Sequence, residues 1–375
     1  MSTVLVVNAG SSSLKYALVG AHTGEQELAG VIERIGADVP DHAAAFALVR
    51  DEFANHAAPV PAAIGHRVVH GGSHFAAPVE ITAAVQEAIA ACIPLAPLHN
   101  PAALVGIAAA EAVFPDVPQV AVFDTAFHQT MPLAAATYAI DRDVAAQFQL
   151  RRYGFHGTSH AYVAGEVARY LDRPLTELKI ISLHLGNGAS ACAIDGGRSV
   201  DTSMGVTPVE GLVMGTRGGD MDPAIPVILA RAGWDADQVD DFLNHQCGLK
   251  GLTGSSDLRD VTAQADAGDD AAELARQVMA HRLRGYIGAY AAVLGGVDVV
   301  VFTAGIGEHA PWIRAAACAG LEFMGITVSP ERNAAAIGPE TPQRINEPQS
   351  RVQVVVVPTD EELAIAQQTT ELLQL

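Results

Sequence analysis

The segment "VLVVNAGSSSLKYALV", Val4 to Val19, places Asn8, Gly10 and three consecutive serines between two apolar runs, with Lys15 just past the turn. A plain hairpin closes with two or three turn residues and has no use for a hydroxyl cluster beside a lysine. Glycine lets a backbone approach phosphate closely, hydroxyls and amides donate to its oxygens, and a nearby lysine offsets its charge. The segment therefore reads as strand, phosphate loop, strand, with a wide hairpin bearing a polar tip as the plainer alternative. It lacks the G-x-x-x-x-G-K-[ST] spacing of a P-loop, so that fold is not implied.

A second segment, "IISLHLGNGASACAID" from Ile180 to Asp195, repeats the layout. Gly186 and Gly188 bracket Asn187 at a strand end and His184 adds a donor, so a second phosphate cradle fits. One pattern used twice suggests two halves of related topology facing one another. Further short apolar runs occur at "IGHRVVH", "QVAVFD", "VDVVVFTAG" and "RVQVVVVPT". Stretches at helical period lie between the runs at 82–92, 102–114, 158–171, 222–232 and 271–294. Strands alternating with helices predict an α/β architecture with mixed or parallel sheets and ligands at the strand ends.

The 375 residues suggest about two domains, and half are hydrophobic, enough for well-packed cores. A net charge of −20, from 42 acidic against 22 basic residues, argues against nucleic acid or an anionic membrane as partner. Cys92, Cys192, Cys247 and Cys318 lie far apart and form no C-x-x-C pair, which fits a reduced compartment. The start has no basic n-region, and no apolar stretch reaches the roughly 18 residues of a membrane helix. A soluble, cytoplasmic protein is expected.

Several polar residues occupy unusual places. Arg67 ends a strand before two glycines and Arg217 sits in the glycine-rich "GTRGGDMDP". Such arginines suit stabilisation of charge on a transferring phosphoryl group, or else pair with a nearby acid, for Arg217 Asp220 or Asp222. Asp124 ends "VAVFD" and Glu361 follows "VVVVPTD", positions where an acid can hold Mg²⁺ directly or through water. Glu361 equally suits the first turn of a helix capped by Thr359 or Asp360. "TAGIGEH" leads from a strand through Gly305, Ile306, Gly307 and Glu308 towards a helix expected to begin near Pro311. Its third fingerprint glycine is missing, so it is weak as a dinucleotide motif. His66 and His70, and His156 and His160, are spaced by four but lack the Glu of H-E-x-x-H, so zinc is not expected. His156 reads as a hydrogen-bond donor in a polar turn.

With "NAGSSSLKY", "HRVVHGG", "FDTAFH", "RYGFHGTSH", "HLGNGAS", "TPVEGLVMGTRGGDMDP" and "TAGIGEH" in this order, the chain resembles the acetate kinase family along nearly its whole length. The resemblance implies two related actin-like ATPase (ribonuclease H-like) α/β domains with mixed sheets and a nucleotide cleft between them. By analogy the first would comprise 1–127 plus 362–375 and the second 128–361, with a homodimer formed through the second. Mg²⁺, or alternatively Mn²⁺, would be contacted by Asn8 and Glu361. The ATP or ADP contacts carried over are Ser11, Ser13 and Lys15, then His184, Leu185, Gly186, Asn187 and Gly188, and for the adenosine Asp257, Leu258 and Arg259 with Gly305, Ile306, Gly307, Glu308 and His309. Arg67, Asp124, His156 and Arg217 match the catalytic set. Val69, Leu98, Phe155 and Pro208, with Arg67, match the acetate pocket.

The implied reaction is reversible transfer of the γ-phosphoryl of ATP to acetate, giving acetyl phosphate and ADP. Asp124 is expected mainly to organise Mg²⁺ or its water, since an ordinary carboxylic acid is already ionised at neutral pH. Propionate kinase is the near alternative, sharing every motif; an actin- or chaperone-like nucleotide switch is the distant one, with no use for Arg67 beside Val69 or for the Phe155-His156 turn. Three positions depart from the family pattern: Gly218 where "TRCGD" is usual, His309 where "GIGEN" is usual, and Asp360 where "TNEE" is usual. The first is expected to loosen the arginine loop.

Overall fold

Leu5 and Val7 belong to one apolar cluster and Val4 and Val6 to another, on opposite sides of the first strand. Both faces of that strand are covered, which is why its run is apolar throughout instead of alternating. The structure, a computed structural model, describes residues 2–20 and 22–375. Its strands are β1 (Thr3–Ala9), β2 (Ser13–Gly20), β3 (Gln26–Glu33), β4 (Ala63–Val68), β5 (Val79–Glu80), β6 (Gln119–Phe123), β7 (Lys179–Leu185), β8 (Ala189–Asp195), β9 (Arg198–Thr202), β10 (Val299–Thr303), β11 (Gln343–Arg344) and β12 (Gln353–Val356).

They form two six-stranded mixed sheets, ordered β3-β2-β1-β4-β6-β5 and β11-β12-β10-β7-β8-β9. Read in reverse, the second order matches the first strand for strand. Each sheet has an antiparallel meander (β1-β2-β3; β7-β8-β9), two strands running parallel to its first member (β4 and β6; β10 and β12), and a two-residue antiparallel edge. The repeat visible between the two hairpin segments thus extends to whole sheets.

The chain separates into two compact units. The first comprises Met1–Gln129, Phe155–Tyr162 and Asp360–Leu375, and the second Thr130–Gly154 and Val163–Thr359. In the first, the helices His42–Asn55 and Asn100–Val113 cover one sheet face through Phe46, Val49, Phe53 and Ala110. The helix Glu361–Leu373 covers the other through Ile365 and Ala366. Gly65 of β4 is required there: a Cβ would lie 2.7 Å from Ile365 Cγ2 and 2.6 Å from Thr369 Oγ1. In the second unit the long helix Asp270–Val293 packs on β7 and β8.

Two features differ from the sequence expectation. The half-buried edge strands β3 and β9 follow no apolar run, and pairing alone defines them. The helix expected near Pro311 is present, but the glycine-rich segment between it and β10 is not an open connection. It is itself helical over Ala304–His309, followed by a second helix, Pro311–Cys318. Arg314, fully buried, holds that turn by donating to the carbonyls of Gly307 and Glu308 at 2.8 and 2.9 Å. Among the described residues no helix is long and apolar enough to cross a membrane.

Candidate active site

In the first unit the parallel strands β4 and β6 lie side by side, pairing Arg67 with Val122 and Val68 with Phe123. Arg67 and Asp124 therefore emerge at neighbouring strand ends, where sheets of this type present functional groups. Asp124 is 2% exposed, and both its oxygens accept from Arg67, at 3.0 and 2.7 Å. Glu361, at the start of its helix, adds a second carboxylate 3.8 Å from Arg67 Nε. Burial disfavours the Arg67 cation, but Asp124 and Glu361 outweigh it and raise its pKa. For Glu361 the balance runs the other way: burial pushes its pKa up, Asp124 and Glu362 add to that, and Arg67 offsets only part. Glu361 is thus a carboxylate short of positive charge.

Asn8, Lys15, Arg67, Glu361 and Glu362 line a cavity of about 20 Å³, room for one water or a small ion. Lys15 is ion-paired with Glu362. Asp360 N-caps the helix, accepting from Leu363 N at 2.8 Å, so the cap and the half-buried Glu361 carboxylate coexist in the same first turn. Among the described residues no three His, Cys, Asp or Glu side chains converge as a protein-only metal cage. Mg²⁺ needs no such cage, since one or two carboxylates with water and substrate phosphates suffice. The oxygen donors of Glu361 and Asn8 fit that sparse pattern, and the charge deficit at Glu361 is one a divalent cation would relieve. Asp124 has a more immediate partner in Arg67 than any ion.

The hairpin tip between β1 and β2 is held at its base, where Gly10 N donates to Ser13 O at 2.8 Å and His42 Nε2 donates to Gly10 O at 2.8 Å. Ser11 is exposed and Ser13 half-buried. His156 adopts a left-handed backbone, φ 56°, in a turn pressed against Asp124. Gly157 N donates to Asp124 O at 2.9 Å, and a Cβ on Gly157 would sit 2.3 Å from that oxygen. The Phe155 carbonyl accepts from His128 Nε2 at 2.9 Å, and the Phe155 ring lies edge-on to His70. Phe155 is buried, Val69 half-buried, and Leu98 about half exposed at 49%.

In the second unit, three of the expected nucleotide segments share one pocket of about 860 Å³. Gly186 and Asn187 come from the β7–β8 turn, Asp257, Leu258 and Arg259 from the start of the helix Leu258–Asp266, and Gly305, Ile306 and His309 from the segment after β10. Strand pairing brings the first and last together, since His184 of β7 is in register with Thr303 of β10. His184 and Leu185 are buried. Asp257 caps its helix and is ion-paired with Arg259. Gly188 and Gly307 lie within the same turns but do not line the pocket. Glu308 is engaged elsewhere, accepting from Thr359 N at 3.1 Å.

Arg217 pairs with neither Asp220 nor Asp222. Its guanidinium donates to the Pro208 carbonyl at 2.6 Å, and among the described residues no carboxylate is within ion-pair distance. Burial accordingly lowers its pKa, with no acid to offset the effect. The loop is closed at its base, where Asp220 N donates to Gly211 O at 3.0 Å and Gly211 N to Asp220 Oδ1 at 2.9 Å. Asp220 is held in turn by Tyr286 at 2.8 Å and by Arg282. Glu210, just before the loop, is gripped by Arg152 and Tyr138. At the tip, Gly215 N donates to Asn187 O at 3.0 Å, joining the arginine loop to the β7–β8 turn that lines the pocket. Gly218, the departure expected to loosen this loop, lies inside a closed and anchored frame.

A strand–turn–strand hairpin repeated in two α/β units, with an anchored arginine loop beside a pocket built from strand-end turns, is the arrangement expected of an ATP-dependent phosphotransferase. The model describing the acetokinase family matches residues 3–367. An acetate kinase of Leifsonia xyli subsp. xyli is 54% identical, covering 99% of both chains. The solved acetate kinase of Porphyromonas gingivalis superposes with a TM-score of 0.95 at 41% identity, covering 100% of each chain. A propionate kinase from Francisella tularensis gives 0.94 at 40% identity, over 99% of this chain and 100% of that one. The chain belongs to the acetokinase family, ATP-dependent phosphotransferases acting on acetate.

Sequence reasoning missed Ser256, Thr262, Ala310, Pro311 and Trp312, which also line the pocket. Trp312 carries a signal in hindsight, as one of only two tryptophans in the chain and five residues beyond Gly307. Arg152 opens the quoted segment "RYGFHGTSH", but nothing there points to Glu210, and the loop anchors Tyr138, Arg282 and Tyr286 carried no signal, because their partners lie far away in sequence.

Proposed function

We propose that this chain catalyses reversible transfer of the γ-phosphoryl group of ATP to acetate through the residues described above, with Mg²⁺ (or Mn²⁺) as cofactor. The observation that carries the reading is Arg217, a half-buried guanidinium with no acid partner among the described residues, on a loop bonded to the Asn187 turn. An oxygen of the acetate carboxylate, already ionised, attacks the γ-phosphorus, and the bond to the β–γ bridging oxygen breaks with its electrons leaving on ADP. No proton has to be removed from acetate, so positioning and positive charge supply the catalysis.

Arg67 and Arg217 bear on the charge spreading over the transferring oxygens, and His156 donates to the same group. Asp124 orients Arg67 through its two hydrogen bonds and takes no proton. Glu361 and Asn8 are the residues suited to hold Mg²⁺, which when bound would supply positive charge against that of the phosphates. Ser11, Ser13, Lys15 and the His184–Gly188 turn hold phosphates, and Asp257 to Arg259 with Gly305 to His309 hold the nucleoside. Val69, Leu98, Phe155 and Pro208 receive the methyl group. A homodimer through the second unit is supported by the exposed apolar residues Ile225, Val227 and Ile228 of the helix Ala224–Arg231. A cytoplasmic location is supported by four cysteines present as thiols, three of them buried.

Propionate is the second reading, favoured by the likeness to a propionate kinase. One methylene is worth only about 1–3 kcal/mol of discrimination, so some propionate turnover is expected alongside acetate. The test is ADP production from ATP and Mg²⁺ against acetate, propionate and butyrate, with the acyl phosphate trapped as hydroxamate. Hydroxamate formed best from acetate supports the proposal and best from propionate moves the substrate. ATP loss without hydroxamate refutes it in favour of a nucleotide switch. Asp124→Asn should lower kcat at every pH and leave the Mg²⁺ dependence unchanged; a shifted pH profile alone would mark Asp124 as a proton carrier.

A further inference from the structure

Trp312, the second residue of the helix Pro311–Cys318, forms part of the wall of the 860 Å³ pocket. Its ring carries the Arg276 guanidinium, 4.5 Å from the centroid. Arg276 comes from the helix Asp270–Val293 and is fixed by Asp266 at 2.8 Å and Glu273 at 3.7 Å, its side chain only 19% exposed. It borders a smaller pocket of about 280 Å³ that shares Trp312, and it does not border the larger one. The indole is therefore a partition, clamped by a cation from the smaller pocket and available to the larger.

The larger pocket mixes polar and apolar lining, with Asp257, Arg259 and His309 among its polar residues. Gly186 and Asn187 present backbone and amide groups in one region, whereas Leu258, Ile306, Ala310 and Pro311 give apolar lining shared with the indole. A nucleotide likewise joins charged phosphates to a flat, weakly solvated base. Base stacking on an aromatic ring is strong and tolerant of base identity, because every base has a π-face. Holding the ring in place beforehand also removes the rotamer entropy that a free tryptophan would lose on binding.

We propose that Trp312, clamped by Arg276, is the surface on which the base of the donor stacks, and that it selects donors carrying a base over pyrophosphate or inorganic polyphosphate. This rests on the reading of the chain as an ATP-dependent kinase. It further implies that GTP and ITP are accepted with affinities near that of ATP, since stacking does not read base edges.

The second tryptophan, Trp234, packs on Phe242 and lines neither pocket. Trp234→Phe thus leaves Trp312 as the sole tryptophan in an otherwise intact enzyme, excited selectively beyond the absorption of the seven tyrosines. Titration with ADP should quench its emission saturably, and pyrophosphate should not. In steady state, Trp312→Ala should raise KM for ATP about tenfold to a hundredfold, with kcat and KM for acetate within about twofold. Trp312→Phe should recover most of that loss, which separates stacking from simple packing. Arg276→Met, which keeps the stem and removes the cation, should raise KM for ATP a few-fold.

Equal quenching by pyrophosphate, or an unchanged KM for ATP in Trp312→Ala, overturns the inference. If the unaltered enzyme makes acetyl phosphate from ATP while Trp312→Ala behaves identically, only this inference falls. If ADP quenches Trp312 but no carboxylate is phosphorylated, the reading of the reaction falls and the stacking surface stands.

Discussion

Replacing Gly219 or Gly218 by alanine should have opposite consequences, although they are adjacent glycines in the same loop. Gly219 has φ +72°, and a Cβ there would lie 2.3 Å from the Gly211 oxygen and 2.4 Å from the Leu212 oxygen. Both obstacles are backbone, so they cannot rotate away as a side chain would. A non-glycine residue in this conformation costs about 1–2 kcal/mol. Relief of the clash requires the Gly211–Asp220 closure to open, losing two hydrogen bonds at about 1 kcal/mol each. The expected loss of stability for Gly219→Ala is about 3 kcal/mol, which a domain of ordinary stability survives. A loop opened at its base also shifts Arg217, and a displacement of about 1 Å is worth about a hundredfold in kcat. Gly218 has no positive φ, and its Cβ would meet only Met221 Cε at 3.3 Å and Cys247 Cβ at 3.6 Å. Gly218→Ala should be neutral or stabilising by up to about 1 kcal/mol, by restricting the unfolded chain. Urea unfolding and kcat at saturating ATP and acetate measure both. Wild-type values for Gly219→Ala, or equal damage from Gly218→Ala, would refute the view that the loop is a closed frame in which position 218 is free.

Burial raises the Glu361 pKa, so the folded state holds a proton there that the unfolded state has released, and stability declines as pH rises from the ordinary carboxylate range through the raised value. Glu361→Gln removes this penalty; in metal-free buffer it should melt higher than wild type at neutral pH, lose activity, and lose any thermal shift with added Mg²⁺. His66 and His128 are buried with pKa values lowered to about 4 from 6.5. Each stays neutral in the fold while the unfolded chain takes up a proton, so stability falls as pH drops from about 6.5 towards 4, by about 1.4 kcal/mol per pH unit per histidine. Urea unfolding across that range checks the slope, which His66→Asn should roughly halve. Val69→Ala enlarges the proposed methyl pocket and should move the ratio of kcat/KM for propionate over acetate upward by about 1 kcal/mol or more; an unchanged ratio would remove Val69 from that pocket.

What the sequence disclosed, and what it did not, follows from the range of the interactions. Apolar runs such as Val4 to Val7 and Val299 to Phe302 are legible because both faces of each strand are buried. Gln26–Glu33 is not, since Gly30 falls on its half-buried side and Val31 on its exposed side, so its residue types do not follow the pleat and only pairing with β2 makes it a strand. Glycines at 305 and 307 carry no helical signal, yet Arg314 supplies the anchoring that lets the segment turn helical. The residue types at the candidate site are local signals, visible as Asn8, Arg67, Asp124 and Arg217. Their state is not local: that Arg67 is doubly bonded to Asp124 while Arg217 has no acid depends on strand register and on partners such as Tyr286, 66 residues from Asp220.

The helix Glu361–Leu373 lies in sequence beyond every strand of the second unit, yet it supplies Ile365 and Ala366 to the core of the first. During synthesis, the ribosome delivers β1, β2, β4 and β6 long before the segment that roofs them. Until then the side of the sheet bearing Val4, Val6, Val120 and Val122 has no cover, a hydrophobic surface of the kind chaperones hold. Glu361 heads that same helix, so the carboxylate nearest Arg67 after Asp124 is also delivered last, and a nascent chain that pauses before it has the arginine but not its second acid.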